Sequence, residues 1–131
     1  MNQNVRKVIF VLMSFWSSIF GATAQTAFTN VNAEDFEQAL KKDSVQLLDV
    51  RTQEEFDEGH LKGALLLDVF RTDFLAEATA RLRKDWPVAV YCRSGKRSAS
   101  AAQLLTTKGY RVMNLKGGIM AWISEGKPLV R

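Results

Sequence analysis

Short, mostly apolar runs, separated by segments of helical character, constrain the fold of this chain most. Four of them have the length of a β-strand and lie at residues 45–50, 64–67, 88–91 and 110–115, and residues 27–31 form a shorter candidate strand. Strands without apolar and polar alternation are typical of a parallel sheet buried on both faces. The intervening helices would provide the crossovers that parallel strands need. The sequence therefore predicts an α/β domain with a parallel sheet and helices on both faces.

Capping residues indicate where the predicted helices begin and end. Asn32 is a suitable N-cap for the first helix, and Thr52 with Glu55 forms a capping box for the second, which Gly59 ends. The pair Gly117-Gly118 is interpreted as a turn before the last helix. The remaining predictions place helices at residues 33–42, 72–82, 98–108 and 120–124.

Residues 1–24 have the three parts of a cleavable secretory signal. Arg6 and Lys7 supply the positive charge, residues 8–20 are apolar and uncharged, and residues 22–24 read Ala-Thr-Ala, a small-x-small cleavage site. The apolar part is shorter than the roughly 18 residues expected of a membrane-spanning helix. The pattern therefore favours cleavage over retention, and an uncleaved membrane anchor is the alternative.

Removal of this signal leaves a single domain at residues 25–131, with Gln25 at its N-terminus. We expect export, most simply to the periplasm, with no stable membrane association after cleavage, and a monomer. The formal net charge of the whole chain is +4, and part of it belongs to the signal. Because there is no long basic stripe with interleaved aromatic residues, no nucleic-acid partner is expected.

Cys92 is the only cysteine of the chain, and it directly follows the apolar run at residues 88–91. A lone thiol in an exported protein is either inert or present for its chemistry, because oxidising compartments favour paired cysteines. A short cationic loop and a predicted helix follow Cys92. Loop N–H groups and the positive end of that helix would favour the thiolate, which is the nucleophilic form. We therefore predict that Cys92 is catalytic; a buried, inert cysteine before a solvated basic turn is the alternative.

The loop after Cys92 is also suited to an anionic substrate, because it combines cations, hydroxyl groups and free backbone N–H groups. Its glycine permits a tight turn, and its last serine is also a candidate helix cap. With one cysteine and one histidine in the chain, no metal site is expected. The predicted substrate-binding residues are Arg93, Ser94, Gly95, Lys96, Arg97 and Ser98.

Four residues outside the loop have more modest interpretations. Asp49, at the end of a predicted strand, is expected to support the cysteine loop by accepting N–H bonds, the alternative being a pair with Arg51. His60 is the only histidine and is expected to bond to the backbone rather than act as a base. Trp86 and Trp122 are expected to pack against the domain rather than bind substrate.

Four segments of the chain have a distinctive order and spacing: residues 48–51 with 55–56, 59–64, 90–98, and 114–118 with Trp122. Together they resemble the rhodanese (thiosulfate sulfurtransferase) family. The resemblance implies a rhodanese-like fold with a five-stranded parallel sheet, and no cofactor. It implies that Cys92 takes the outer sulfur of thiosulfate or a related donor, releases sulfite and passes the sulfur from a persulfide to cyanide or a thiol. It also places the sulfur-binding loop at residues 93–98.

Two other functions are considered for this sequence. Dual-specificity phosphatases of similar fold place an arginine six positions after their cysteine to clamp a phosphoryl group, whereas this chain has Ser98 there. The loop therefore favours sulfur over phosphate chemistry. The other alternative is a rhodanese-like binding or redox module without turnover, against which the intact Cys92 and its cationic loop argue.

Overall fold

The computed structural model describes residues 27–131, so the predicted signal, its cleavage site and Gln25 lie outside the described residues. In this described range, five parallel strands form one sheet in the order β1-β5-β4-β2-β3. The five-stranded parallel sheet expected from the sequence is confirmed. Its strands are β1 (Thr29–Val31), β2 (Gln46–Asp49), β3 (Leu65–Leu66), β4 (Val88–Tyr91) and β5 (Val112–Leu115).

Within the described part of the chain, five helices alternate with these strands. The first helix ends two residues before the end of the predicted helix at residues 33–42. The fourth helix begins two residues before Ser98, where the sequence predicted its start. No helix among residues 27–131 combines the length and apolarity needed to cross a membrane. The helices are α1 (Ala33–Leu40), α2 (Gln53–Glu58), α3 (Phe74–Arg81), α4 (Lys96–Thr106) and α5 (Gly118–Ser124).

Apolar side chains from the two faces of the sheet form two separate cores. One core joins the sheet to α3 and α4, and the other joins it to α1 and α5. Successive residues of β4 alternate between them: Val88 and Val90 lie in the first core, and Ala89 and Tyr91 lie in the second. Every residue of β4 is buried, so the absence of polar alternation in its sequence follows from helices covering both faces.

Strand β4 lies at the centre of the sheet, between β2 and β5. Its registers pair Val90 with Leu48 on one side and with Asn114 on the other. Cys92 therefore follows β4 at the carboxyl edge of the sheet, between the ends of two neighbouring strands. Ligands of open parallel sheets bind at this edge.

Candidate active site

Cys92 lies at the base of a tight loop between β4 and α4, and the residue is fully buried. Its Sγ accepts a hydrogen bond from the backbone N–H of Gly95 at 3.1 Å and one from the Ser98 hydroxyl at 3.3 Å. Gly95 takes a left-handed conformation, with φ of 103°, and is the N-cap of α4. The turn thereby brings the first N–H groups of the helix region back towards the sulfur, as an anion-binding loop does.

Two opposing effects set the pKa of Cys92. Burial raises the pKa, since it removes water from the thiolate. The Ser98 hydroxyl and the backbone N–H groups of Ser98, Gly95 and Ser94 lower it, and together they outweigh burial, so the pKa lies below its ordinary value. The loop therefore favours the nucleophilic thiolate through hydrogen bonds.

The start of α5 holds the outer side of the same loop. The backbone N–H of Ile119 donates to the Cys92 carbonyl at 2.9 Å, and that of Met120 donates to the Arg93 carbonyl at 3.2 Å. Gly118 approaches the loop so closely that a Cβ there would stand 2.3 Å from the Arg93 carbonyl oxygen. The Gly117-Gly118 pair, interpreted from the sequence only as a turn, is therefore part of the site. Its repeated glycine was the available signal for such a close approach.

The predicted substrate-binding residues fall into exposed and enclosed groups. Arg93, Ser94 and Lys96 are exposed at the loop surface. Arg97 is instead largely buried in a bidentate ion pair with Glu55 of α2, with both N···O distances at 2.8 Å. The structure thus brings all six residues around one loop, but Arg97 points its guanidinium at a carboxylate that the sequence analysis did not place at the site.

Ser98 is fully buried and donates its hydroxyl hydrogen bond to the Cys92 sulfur. Its predicted role as a helix cap is wrong, because α4 begins at Lys96 and its N-cap is Gly95, without a side-chain cap bond. The physical reason is the left-handed glycine, which starts the helix two residues early. The Ser98 hydroxyl is therefore not needed as a cap and donates to the Cys92 sulfur instead.

Asp49 does not support the cysteine loop as expected. Its buried carboxylate accepts from Nε and Nη2 of Arg51, with the shortest N···O distance at 2.7 Å, and from the Arg51 backbone N–H at 3.0 Å. Arg51 also donates to the Gly59 carbonyl at 2.8 Å. The loop-support prediction is therefore wrong, since a residue two positions away takes up the carboxylate, and the alternative pairing is confirmed.

His60, Trp86 and Trp122 bond to or pack against other parts of the domain, as expected. His60 Nδ1 lies 2.9 Å from the Phe56 carbonyl oxygen and its ring stacks on that of Phe56, which confirms the expected backbone bond. Trp122 is buried in the core with α1, and Trp86 packs under the Arg83 guanidinium. Within residues 27–131, no group of three or more His, Cys, Asp and Glu side chains is placed to hold a metal ion.

Comparisons with known proteins agree with this geometry. The sequence model of the rhodanese-like domain matches residues 32–125. A sulfurtransferase of Allochromatium vinosum is 38% identical over 102 residues, which cover 76% of this chain and 92% of that protein. The thiosulfate sulfurtransferase GlpE of Shewanella oneidensis is 33% identical over 98 residues, covering 74% of this chain and 94% of that protein.

Solved structures give the same result. A rhodanese-related protein of Thermoplasma volcanium superposes with a TM-score of 0.70 at 32% identity, covering 79% of this chain and 98% of that one. A rhodanese-like domain protein of Staphylococcus aureus superposes with a TM-score of 0.65 at 27% identity, covering 72% of this chain and 91% of that one. Both the fold and the sequence therefore resemble proteins of one family over most of their length.

Proposed function

Because the chain belongs to the rhodanese-like domain family, and relatives over most of its length are named sulfurtransferases, we propose that it is a sulfurtransferase that works through Cys92. The donor is thiosulfate or a related sulfane-sulfur anion, and the acceptor is cyanide or a thiol. The observation that carries this proposal is the Cys92 sulfur, which receives hydrogen bonds from the Gly95 N–H and the Ser98 hydroxyl.

The proposed reaction has two steps. In the first, the Cys92 thiolate attacks the outer sulfur of thiosulfate; a new S–S bond forms, the S–S bond of thiosulfate breaks, and sulfite leaves with the electron pair. In the second, cyanide attacks the outer sulfur of the resulting persulfide, thiocyanate leaves, and the thiolate returns. Neither step needs a proton transfer, so the assignment of His60 to a backbone bond is compatible with the chemistry.

The loop supports both steps by the same means. N–H groups that lower the pKa of the Cys92 thiol also stabilise an anionic persulfide, which carries the same single charge one atom further out. Arg93 and Lys96 are exposed cations of the same loop, so they would attract an incoming anion. Full burial of Cys92 shields the thiolate from oxidants, and thiolates in accessible positions are the ones most easily oxidised.

Mass spectrometry of the intact protein tests this proposal. After treatment with thiosulfate and removal of excess donor, the wild type should gain the mass of one sulfur atom, and cyanide should remove it with release of thiocyanate. Cys92→Ser is the control and should gain nothing. A wild type that gains no sulfur would refute the catalytic role and favour a binding or redox module without turnover.

A parallel assay with para-nitrophenyl phosphate tests the phosphatase alternative. Ser98 occupies the position of the phosphatase arginine and its hydroxyl is already bonded to the thiol, so we expect no phosphate release that depends on Cys92. Phosphate release that is lost in Cys92→Ser, in the absence of sulfur transfer, would reverse the assignment.

We also propose that the protein is exported to the periplasm after removal of residues 1–24, and that it acts as a monomer. The charged, apolar and small-residue parts of that segment support export. N-terminal sequencing of the protein from cell fractions should find Gln25 first in the periplasmic fraction. Recovery of the full chain in membranes would favour the uncleaved anchor.

A further inference from the structure

We propose that Glu55 sets the affinity of the Cys92 loop for anionic sulfur donors, because it neutralises one of the three cations of that loop. This inference rests on the proposed sulfurtransferase function and deepens it. The sequence offered three cations, Arg93, Lys96 and Arg97, as equivalent ligands for an anion. The structure makes one of them different from the other two.

The Glu55–Arg97 pair is geometrically well formed. Arg97 Nη1 and Nη2 each lie 2.8 Å from a different Glu55 oxygen, and both side chains are about three-quarters buried. Bidentate pairs of this kind are stronger and better oriented than single contacts. Thr52 also donates to Glu55 through its backbone N–H and its hydroxyl, at 3.1 Å each. The carboxylate is therefore fixed in place from two sides.

Besides Glu55, two charged groups face Arg97. The pKa of Arg97 is raised chiefly by its hydrogen bond to Glu55, with smaller contributions from Cys92 and Asp68. Within the described residues, Arg93 and Lys96 form no ion pair. An incoming anion thus meets two free cations and one cation whose charge is balanced by a carboxylate.

The balance matters because thiosulfate carries two negative charges. A free third cation would attract this dianion and retain sulfite, which is also anionic, whereas the balanced pair contributes little net field. Glu55 touches no reacting atom in this structure. It is accordingly a positioning and charge-setting residue that acts through Arg97, and it should affect donor capture more than later steps.

Glu55→Gln tests the inference, because glutamine keeps the shape of the side chain and its capping box with Thr52. We expect kcat/KM for thiosulfate, with cyanide as acceptor, to rise about three- to tenfold at low ionic strength. The gain should shrink towards one as salt is added, since added ions screen the freed charge. Glu54→Gln is the matched control: it removes the same charge from an exposed neighbour and should change this parameter much less.

A double-mutant cycle separates charge from shape. Arg97→Gln leaves the Glu55 carboxylate unbalanced beside the loop and should lower kcat/KM for thiosulfate by a factor similar to the gain in Glu55→Gln. The variant with both substitutions should return to within about twofold of the wild type. The kcat/KM of this double variant must in any case be higher than that of Arg97→Gln alone. This comparison keeps the test decisive even if Glu55→Gln by itself proves unstable.

Two negative outcomes are distinguishable. If the wild type transfers no sulfur, the proposed function fails and this inference falls with it. If the wild type is active but both single substitutions slow donor capture, without salt dependence and without recovery in the double variant, the pair merely holds the loop in shape and only the charge-setting role is overturned.

Discussion

The close approach of Gly118 to the cysteine loop supports a prediction for Gly118→Ala. A Cβ at this position would stand 2.3 Å from the Arg93 carbonyl oxygen, 2.5 Å from the Arg93 carbonyl carbon and 2.7 Å from the Cys92 carbonyl oxygen. Nonbonded heavy atoms prefer about 3.5–4.0 Å, so the loop and α5 must separate by roughly 1 Å. All three clashing atoms are backbone, and no side-chain rotation can relieve the overlap.

Two terms contribute to the expected loss of stability. Gly118 has φ of 61°, and an alanine in this left-handed region costs about 1–2 kcal/mol. The overlap with the loop adds about 1–3 kcal/mol, as overpacking of a close-packed site does. Gly126→Ala is the matched control, because Gly126 has φ of 75° and nothing within 4 Å of its added Cβ. Gly126→Ala should therefore lose only the stability that the left-handed conformation costs.

The functional effect should exceed what the stability loss explains. Separation of α5 from the loop weakens the bonds that Ile119 and Met120 donate to the Cys92 and Arg93 carbonyls. The loop N–H groups then point less directly at the sulfur, so the pKa of Cys92 should rise towards its ordinary value. A displacement of this size also misplaces the nucleophile, and a loss of about 10- to 100-fold in kcat/KM is expected.

Iodoacetamide alkylation of Cys92, followed from pH 5 to pH 10 after cyanide treatment, measures the thiolate fraction directly. The midpoint should lie below the ordinary thiol pKa in the wild type and in Gly126→Ala, and should shift upward in Gly118→Ala. Urea unfolding and thiosulfate–cyanide turnover complete the comparison. If Gly118→Ala alkylates and turns over like the wild type, α5 does not orient the loop and the reasoning is refuted.

Further predictions concern the hydroxyl at the thiol and two ion pairs. Ser98→Ala should raise the alkylation midpoint of Cys92, because the serine hydroxyl lowers the pKa of that thiol, and an unchanged midpoint would contradict this role. Asp49→Asn should lower the free energy of unfolding by about 3–5 kcal/mol, because it leaves the buried charge of Arg51 unpaired, and urea unfolding measures this loss. The pKa of Glu55 is lowered to about 2, chiefly by its ion pair, so its contribution to stability is complete above about pH 5 and is lost as the pH falls towards 2. Acid unfolding should therefore show the wild type losing about 1–2 kcal/mol more than Glu55→Gln over this interval, and parallel curves would argue against the pair.

The fold was largely predictable because its strongest signals are local. Strand β4 is buried on both faces, and its run of apolar residues shows this directly. The predicted helix boundaries were less accurate where a backbone conformation, rather than a capping side chain, decides where a helix begins. Helix α4 begins at Lys96 because Gly95 adopts a left-handed conformation, and no capping side chain marks that position in the sequence. The serine two residues further on was therefore mistaken for the cap.

The parts of the site that were missed depend on contacts between distant segments. Arg97 and Glu55 are 42 positions apart, and nothing in either local sequence shows that α2 will face the cysteine loop. The prediction for Asp49 was wrong for the opposite reason, because its partner is close in the sequence. Asp49 was expected to accept N–H bonds from the cysteine loop, but Arg51, two positions away, forms a bidentate pair with both carboxylate oxygens.

The orientation of the cysteine loop explains why such distant segments matter. Each peptide unit points its N–H and its carbonyl in opposite directions, so a loop that turns N–H groups towards a thiolate must turn carbonyls away from it, and those carbonyls need donors. The first turn of α5 has unpaired N–H groups, as every helix does, and two of them bind the Cys92 and Arg93 carbonyls. Asn114 of β5 donates to the Gly95 carbonyl at 3.2 Å. The reactivity of the thiol thus depends on donors outside the loop, and substitutions that never touch the sulfur should still raise its pKa.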